Sequence, residues 1–160
     1  MTYSQKYTLV SFVSPVPIGT EFDMADWPLH ITLADVFAVD RTGTDIEAKL
    51  AAAVAELPPV SANADKEVVL GTVHVVLLDK NETLLGLHHH LVDLLEANGV
   101  IFNTPEFARD GYLPHCTIQK TGRLRSGDKV TIDTIALIDM FPGNDWQRRK
   151  VINLFELRGM

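Results

Sequence analysis

A chain of 160 residues suits one domain with a sizeable core, and 46% apolar and 22% charged residues are ordinary for a soluble globular protein. The net charge of −7 argues against general binding of long nucleic acid, whose affinity rests on neutralising phosphates. No apolar run is long enough to span a bilayer, and the N-terminal MTYSQKYTLVSFV lacks a basic segment followed by a signal-like apolar core. The single cysteine excludes an intramolecular disulfide. The expectation is a cytoplasmic monomer spanning residues 1–160 as one domain, with no membrane partner.

Tyr7 to Val13 reads as a first strand, apolar and partly β-branched. The following SPVPIGTEFDMADWP, with three prolines and a glycine, reads as a loop. WPLHITL then opens a second strand running to about Val39. The segment RTGTDIEAKLAAAVAELPP predicts a helix: Thr44 and Glu47 have capping-box spacing, Ile46, Leu50, Ala53, Val54 and Leu57 form an apolar stripe, and Pro58 and Pro59 end it. Glu67 to Leu70 and Thr72 to Leu78 read as strands separated near Gly71. A second helix covers NETLLGLHHHLVDLLEANG, with Asn81 as N-cap and Gly99 as the C-terminal glycine. Phe102 to Leu113 is irregular, LPHCTIQ is another strand, KTGRLRSGDK is a basic turn region, and Lys129–Met140 and Val151–Leu157 are two further strands.

Charge is uneven along this path. Residues 1–100 carry a net −9 and residues 101–160 a net +2, so the last third could hold a small phosphorylated ligand. His88, His89 and His90 are conspicuous, but adjacent helical residues point about 100° apart and cannot converge on one metal ion. The i, i+4 histidine spacing of metal-binding helices is absent. His88 falls beside Leu84, Leu91 and Leu95, which predicts partial burial, while His89 and His90 face outward. His74 reads as structural or rim-lining, and Cys116 as a small buried core residue.

The sequence carries one chemical pattern twice. In WPLHITL, Leu29, Ile31 and Leu33 share one strand face while His30 and Thr32 share the other. In LPHCTI, His115 and Thr117 are placed the same way around Cys116. Each copy is His-x-Thr followed by an aliphatic residue, with a proline just upstream, and each falls in a half of the chain holding one helix and several strands. Such a repeat marks a duplicated lobe.

The paired motifs His30-Ile31-Thr32-Leu33 and His115-Cys116-Thr117-Ile118 resemble those of the 2H phosphoesterase superfamily, which includes 2′-5′ RNA ligase-like proteins and cyclic nucleotide phosphodiesterases. The resemblance implies an α+β fold of two pseudo-symmetric lobes, with antiparallel sheets flanking a central cleft and helices on the outside. It also implies that both His-x-Thr pairs face the cleft as catalytic residues. Two histidines with ordinary pKa values near 6.5 can share acid and base roles at neutral pH. Thr32 and Thr117 would donate to the non-bridging phosphate oxygens. The motifs do not settle which histidine is the acid; the working assignment is His115 as base and His30 as acid. Lys120 stands where similar proteins often carry an arginine, and Tyr112 is a rim or base-stacking residue; both are expected to bind substrate. The corresponding place after the first motif holds Asp35, so the lobes are not electrostatically equivalent.

No P-loop and no metal-ligand cluster is visible, which predicts chemistry without ATP, metal or other cofactor. The expected reaction is opening of a 2′,3′-cyclic phosphate or related small cyclic phosphodiester. The rivals are a 2′-5′ RNA ligase or RNA-end processing enzyme, and a non-catalytic module that binds a nucleotide phosphate. The expected partner is a small cyclic nucleotide or an RNA end.

Overall fold

The computed structural model describes residues 5–40 and 45–160. Among these, ten strands form one antiparallel sheet, which is not closed. In chain order the elements are β1 (Gln5–Phe12), β2 (Glu21–Asp23), β3 (His30–Val39), α1 (Ile46–Val54), β4 (Val60–Leu70), β5 (Val73–Leu78), α2 (Glu82–Ala97), β6 (Ile101–Phe102), β7 (His115–Thr117), β8 (Lys129–Ile132), β9 (Thr134–Asp139) and β10 (Arg148–Glu156). The strand order is β2-β10-β9-β1-β3-β7-β5-β4-β8, with β6 paired to β3. The edge strands β2 and β8 are short, which limits pairing with other chains.

β3 and β7, which carry the two motifs, lie side by side in the middle of the sheet. Strands β1, β9, β10 and β2 extend from β3, while β5, β4 and β8 extend from β7. The lobes are therefore not the two halves of the chain. β4 and β5 cross to the second lobe, and β9 and β10 return to the first. Asp133 marks that return: the segment read as one strand from Lys129 to Met140 splits there into β8, which pairs β4, and β9, which pairs β1 and β10. One strand cannot satisfy partners at both ends of the sheet, so it breaks.

Both helices cover one face. Ile46, Leu50 and Val54 of α1 and Leu84, Leu87, Leu91 and Leu95 of α2 join Leu9, Ile31, Leu33, Phe37, Val76 and Leu78 in the main core. Fully burying one such side chain stabilises the fold by about 1.5–3 kcal/mol. Asn81 caps α2, accepting from the Leu84 amide at 2.7 Å. The described cap of α1 is Asp45, which accepts from the Ala48 amide at 3.2 Å; Thr44, read as a capping-box residue, lies outside the described residues. On the opposite face of the first lobe, Val10, Phe22, Ala136, Ile138 and Val151 form a smaller cluster with Phe12 and Trp27. The proline-rich stretch read as a loop contributes β2 to this cluster, with Phe22 opposite Arg149 of β10. No helix among the described residues is long and apolar enough to cross a membrane.

Candidate active site

One register pair builds the site. β3 and β7 are antiparallel with Ile31 opposite Cys116. Continuing that register one residue each way sets His30 opposite Thr117 and Thr32 opposite His115. Directly opposed residues on one sheet face are about 5 Å apart, and the diagonal pair is about 7–8 Å apart. The four side chains therefore form a small rectangle, with the histidines at one pair of opposite corners and the threonines at the other. Beneath it, Ile31 and Cys116 are buried in the core and fix the facing of both strands. Burial pushes the Cys116 thiol up to about 11, so it is a packed thiol rather than a nucleophile.

The two histidines are oriented by the same device. His30 Nδ1 lies 2.9 Å from the Pro28 carbonyl, and His115 Nδ1 lies 2.7 Å from the Leu113 carbonyl, each two residues upstream. A carbonyl only accepts, so Nδ1 carries the proton and donates it in both rings. Nε2 is then the nitrogen left to exchange protons with a substrate. The intervening residues match as well: the Leu29 carbonyl accepts from Val13, and the Pro114 carbonyl accepts from Leu78. In each motif one upstream carbonyl joins the neighbouring chain segment and the one before it curls back to the ring.

The surroundings differ. His30 sits under aromatic side chains, with Trp27 at 4.3 Å and Phe12 at 6.5 Å between ring centroids. Burial lowers its pKa, the Pro28 hydrogen bond partly opposes this, and the charge of His115 lowers it further. His115 instead borders a cavity of about 510 Å³, whose wall also includes Thr32, Thr117, Asp35 and Tyr112. His30 is not part of that wall.

A second layer braces the rectangle. His88 of α2 is buried, with Nδ1 donating to the Leu33 carbonyl at 2.6 Å and Nε2 accepting from the Arg109 amide at 2.9 Å. Both ring nitrogens are committed in the neutral form, and burial lowers the pKa of the ring. Arg109 has a positive φ of 59°, a strained position for a residue with a Cβ, and its side chain reaches Asp93 at 2.8 Å and Glu96 at 3.3 Å. Tyr112 stacks on His88 at 3.8 Å and 6°, and its hydroxyl donates to the Thr32 carbonyl at 2.8 Å. α2 thus ties the backbone of the first motif to the segment leading into the second.

The geometry revises several readings. Tyr112 lines the cavity, but it is buried, with one ring face covered by His88 and its hydroxyl committed; it is not a free rim residue. Lys120 is exposed, lies beyond the end of β7 beside the Gln119–Gly122 bridge, and is not on the cavity wall. His88 is fully buried rather than partly. His74 is exposed at 3.4 Å from Glu67. Trp27 and Phe12, which pack on His30, were not singled out by the sequence, although Trp27 stands only three residues before the histidine. Among the described residues, no group of three or more His, Cys, Asp or Glu side chains is placed to hold a metal ion.

The profile of the 2′-5′ RNA ligase superfamily matches residues 21–138, a span containing both motifs. A search of curated proteins gives no match. Solved structures share the fold at low identity. A crystal structure of a phosphoesterase aligns with a TM-score of 0.64 at 16% identity, covering 96% of this chain and 98% of the other. E. coli LigT complexed with 3′-AMP aligns at 0.61 and 15% identity, with coverage of 96% and 98%. A Thermus thermophilus protein aligns at 0.57 and 17% identity, again covering 96% and 98%. The family match spans most of the chain, and the chain belongs to the 2′-5′ RNA ligase superfamily, that of the 2H phosphoesterases.

Proposed function

We propose that this enzyme of phosphoester transfer or hydrolysis opens small cyclic phosphodiesters, such as nucleoside 2′,3′-cyclic phosphates, with His30 as base and His115 as acid. The observation that supports this reading is the antiparallel register, which puts His30, Thr32, His115 and Thr117 on one face of two neighbouring strands, with each histidine's Nδ1 held by an upstream carbonyl. The nucleotide in the LigT structure is consistent with such a ligand.

In the forward direction, His30 Nε2 takes a proton from water as the water oxygen attacks phosphorus. The bond from phosphorus to one ribose oxygen breaks, and His115 gives its Nε2 proton to that oxygen. Thr32 and Thr117 donate to the non-bridging oxygens, where negative charge is stabilised. Opposite corners suit in-line displacement, because the attacking and leaving oxygens lie on opposite sides of phosphorus. The base must be neutral before attack. Burial under Trp27 and a charged His115 both hold His30 neutral, which reverses the assignment carried from the sequence. Joining a cyclic phosphate to a 5′-hydroxyl would use the same groups in the same roles, with the hydroxyl in place of water: His30 takes its proton and His115 protonates the departing ribose oxygen.

The test is incubation with 2′,3′-cyclic nucleotides in EDTA, following ring opening by phosphorus NMR. Turnover that persists in EDTA is expected. No ring opening between pH 5 and 8 at high enzyme concentration would overturn the hydrolase reading.

A further inference from the structure

The cavity beside the rectangle is asymmetric, and its asymmetry bears on substrate choice. It extends from His115 and Thr117 between two walls: the β4–β5 hairpin, with Leu70, Val73 and Val75, and the segment before the second motif, with Phe107 and Leu113. Its volume of about 510 Å³ falls within the range of small-molecule pockets, about 300–1,000 Å³. Two of its apolar side chains are unusually exposed, Phe107 at 55% and Val73 at 44%. Exposed apolar groups facing each other across a cleft mark a surface that a ligand covers. The segment carrying Phe107 folds tightly on itself, since a Cβ at Gly111 would overlap the Glu106 carbonyl.

The charge of the cavity is equally one-sided. Asp35 is the acidic side chain on its wall, and no lysine or arginine lines it among the described residues. Nearby cations are engaged elsewhere: Arg109, two residues from Phe107, pairs with Asp93 and Glu96, and Arg123 pairs with Glu67 at 2.8 Å. The basic last third therefore does not supply this space with positive charge. A flat, uncharged ring gains from these walls, whereas a second phosphate meets a carboxylate and no counter-ion.

Building on the proposed phosphate seat between the motifs, we infer that this cavity selects mononucleoside substrates: Phe107 and the hairpin hold the base, and Asp35 turns away a second phosphate. The site then favours a nucleoside cyclic phosphate over one that continues into a phosphorylated chain.

Calorimetric titration with three probes tests the inference: ribose 3-phosphate, guanosine 3′-monophosphate and guanosine 3′,5′-bisphosphate. The monophosphate is expected to bind about tenfold more tightly than ribose 3-phosphate, and Phe107→Ala to remove that advantage without changing ribose 3-phosphate binding. The bisphosphate is expected to bind about fivefold more weakly than the monophosphate, with Asp35→Asn closing the gap. Equal binding of ribose 3-phosphate and the monophosphate, or tighter binding of the bisphosphate by the wild-type protein, would overturn the inference. The two readings fail separately. The expected binding pattern without turnover of cyclic phosphates leaves this cavity assignment standing and removes the hydrolase. Turnover without any preference for a base does the reverse.

Discussion

His30 and His115 make the same hydrogen bond to the same relative position, yet one ring lies beneath tryptophan and phenylalanine and the other beside an open cavity. The backbone repeats while the environment does not. Repetition gives both rings the same tautomer and aims Nε2 in equivalent ways. In the proposed reaction, difference suits them to separate tasks, because a proton donor and a proton acceptor must hold opposite states at one pH. The same division affects the threonines: Thr32 is tied through its carbonyl to Tyr112, while Thr117 ends the short strand β7.

The largest expected effect comes from removing either ring. His30→Ala and His115→Ala should each lower kcat by about 10²- to 10⁴-fold in cyclic phosphate opening, while His89→Ala should leave it unchanged. Removing a hydroxyl is expected to cost less: Thr32→Val or Thr117→Val should lower kcat by about 10²-fold, near the lower end for loss of one transition-state donor. If one threonine proves dispensable, the rectangle is functionally three-cornered.

Smaller changes sharpen the contrast between the lobes. Trp27→Ala uncovers His30, so the acidic limb of the kcat/KM profile should move to higher pH as the pKa of the base returns toward 6.5. An unmoved limb would show that burial does not set the state of the base. Tyr112→Phe keeps the stack on His88 but removes the bond to the Thr32 carbonyl, which should cost about 0.5–1.5 kcal/mol in chemical denaturation. The stability of the brace itself should depend on pH. His88 has a folded pKa below its unfolded value, so the unfolded chain binds more protons in that window. Stability is then full above about pH 6.5 and falls as pH drops toward the folded value, and His88→Gln should flatten that slope in thermal melts.

Both helices were legible from their apolar spacing, the second also from its cap Asn81, and both motifs from strict alternation about Ile31 and Cys116. Those signals are local, since the side chains that create them lie within a few residues. What the sequence did not disclose depends on distant partners. The first part of β4, with Val60, Ala62 and Ala64 buried in alternation, uses small residues that carry little strand signal, and it is a strand because β8 and β5 flank it. The break at Asp133 follows from which strands β8 and β9 pair with. His88 looked like a partly buried helical residue because its two partners, the Leu33 carbonyl and the Arg109 amide, come from remote segments. The spacing from His115 suggests Lys120, but β7 ends at Thr117 and the lysine falls in the turn closed by the Gln119–Gly122 bridge.

The division of labour between two similarly built histidines is the central claim, and imidazole nitrogen-15 NMR across pH reads it directly. The neutral rings of His30 and His115 should both carry the proton on Nδ1. His30 should titrate below 6.5, and its pKa should rise when the neighbouring charge is removed in His115→Asn. A proton on Nε2 in the neutral rings, or a His30 that titrates above 6.5 and ignores His115→Asn, would contradict the account.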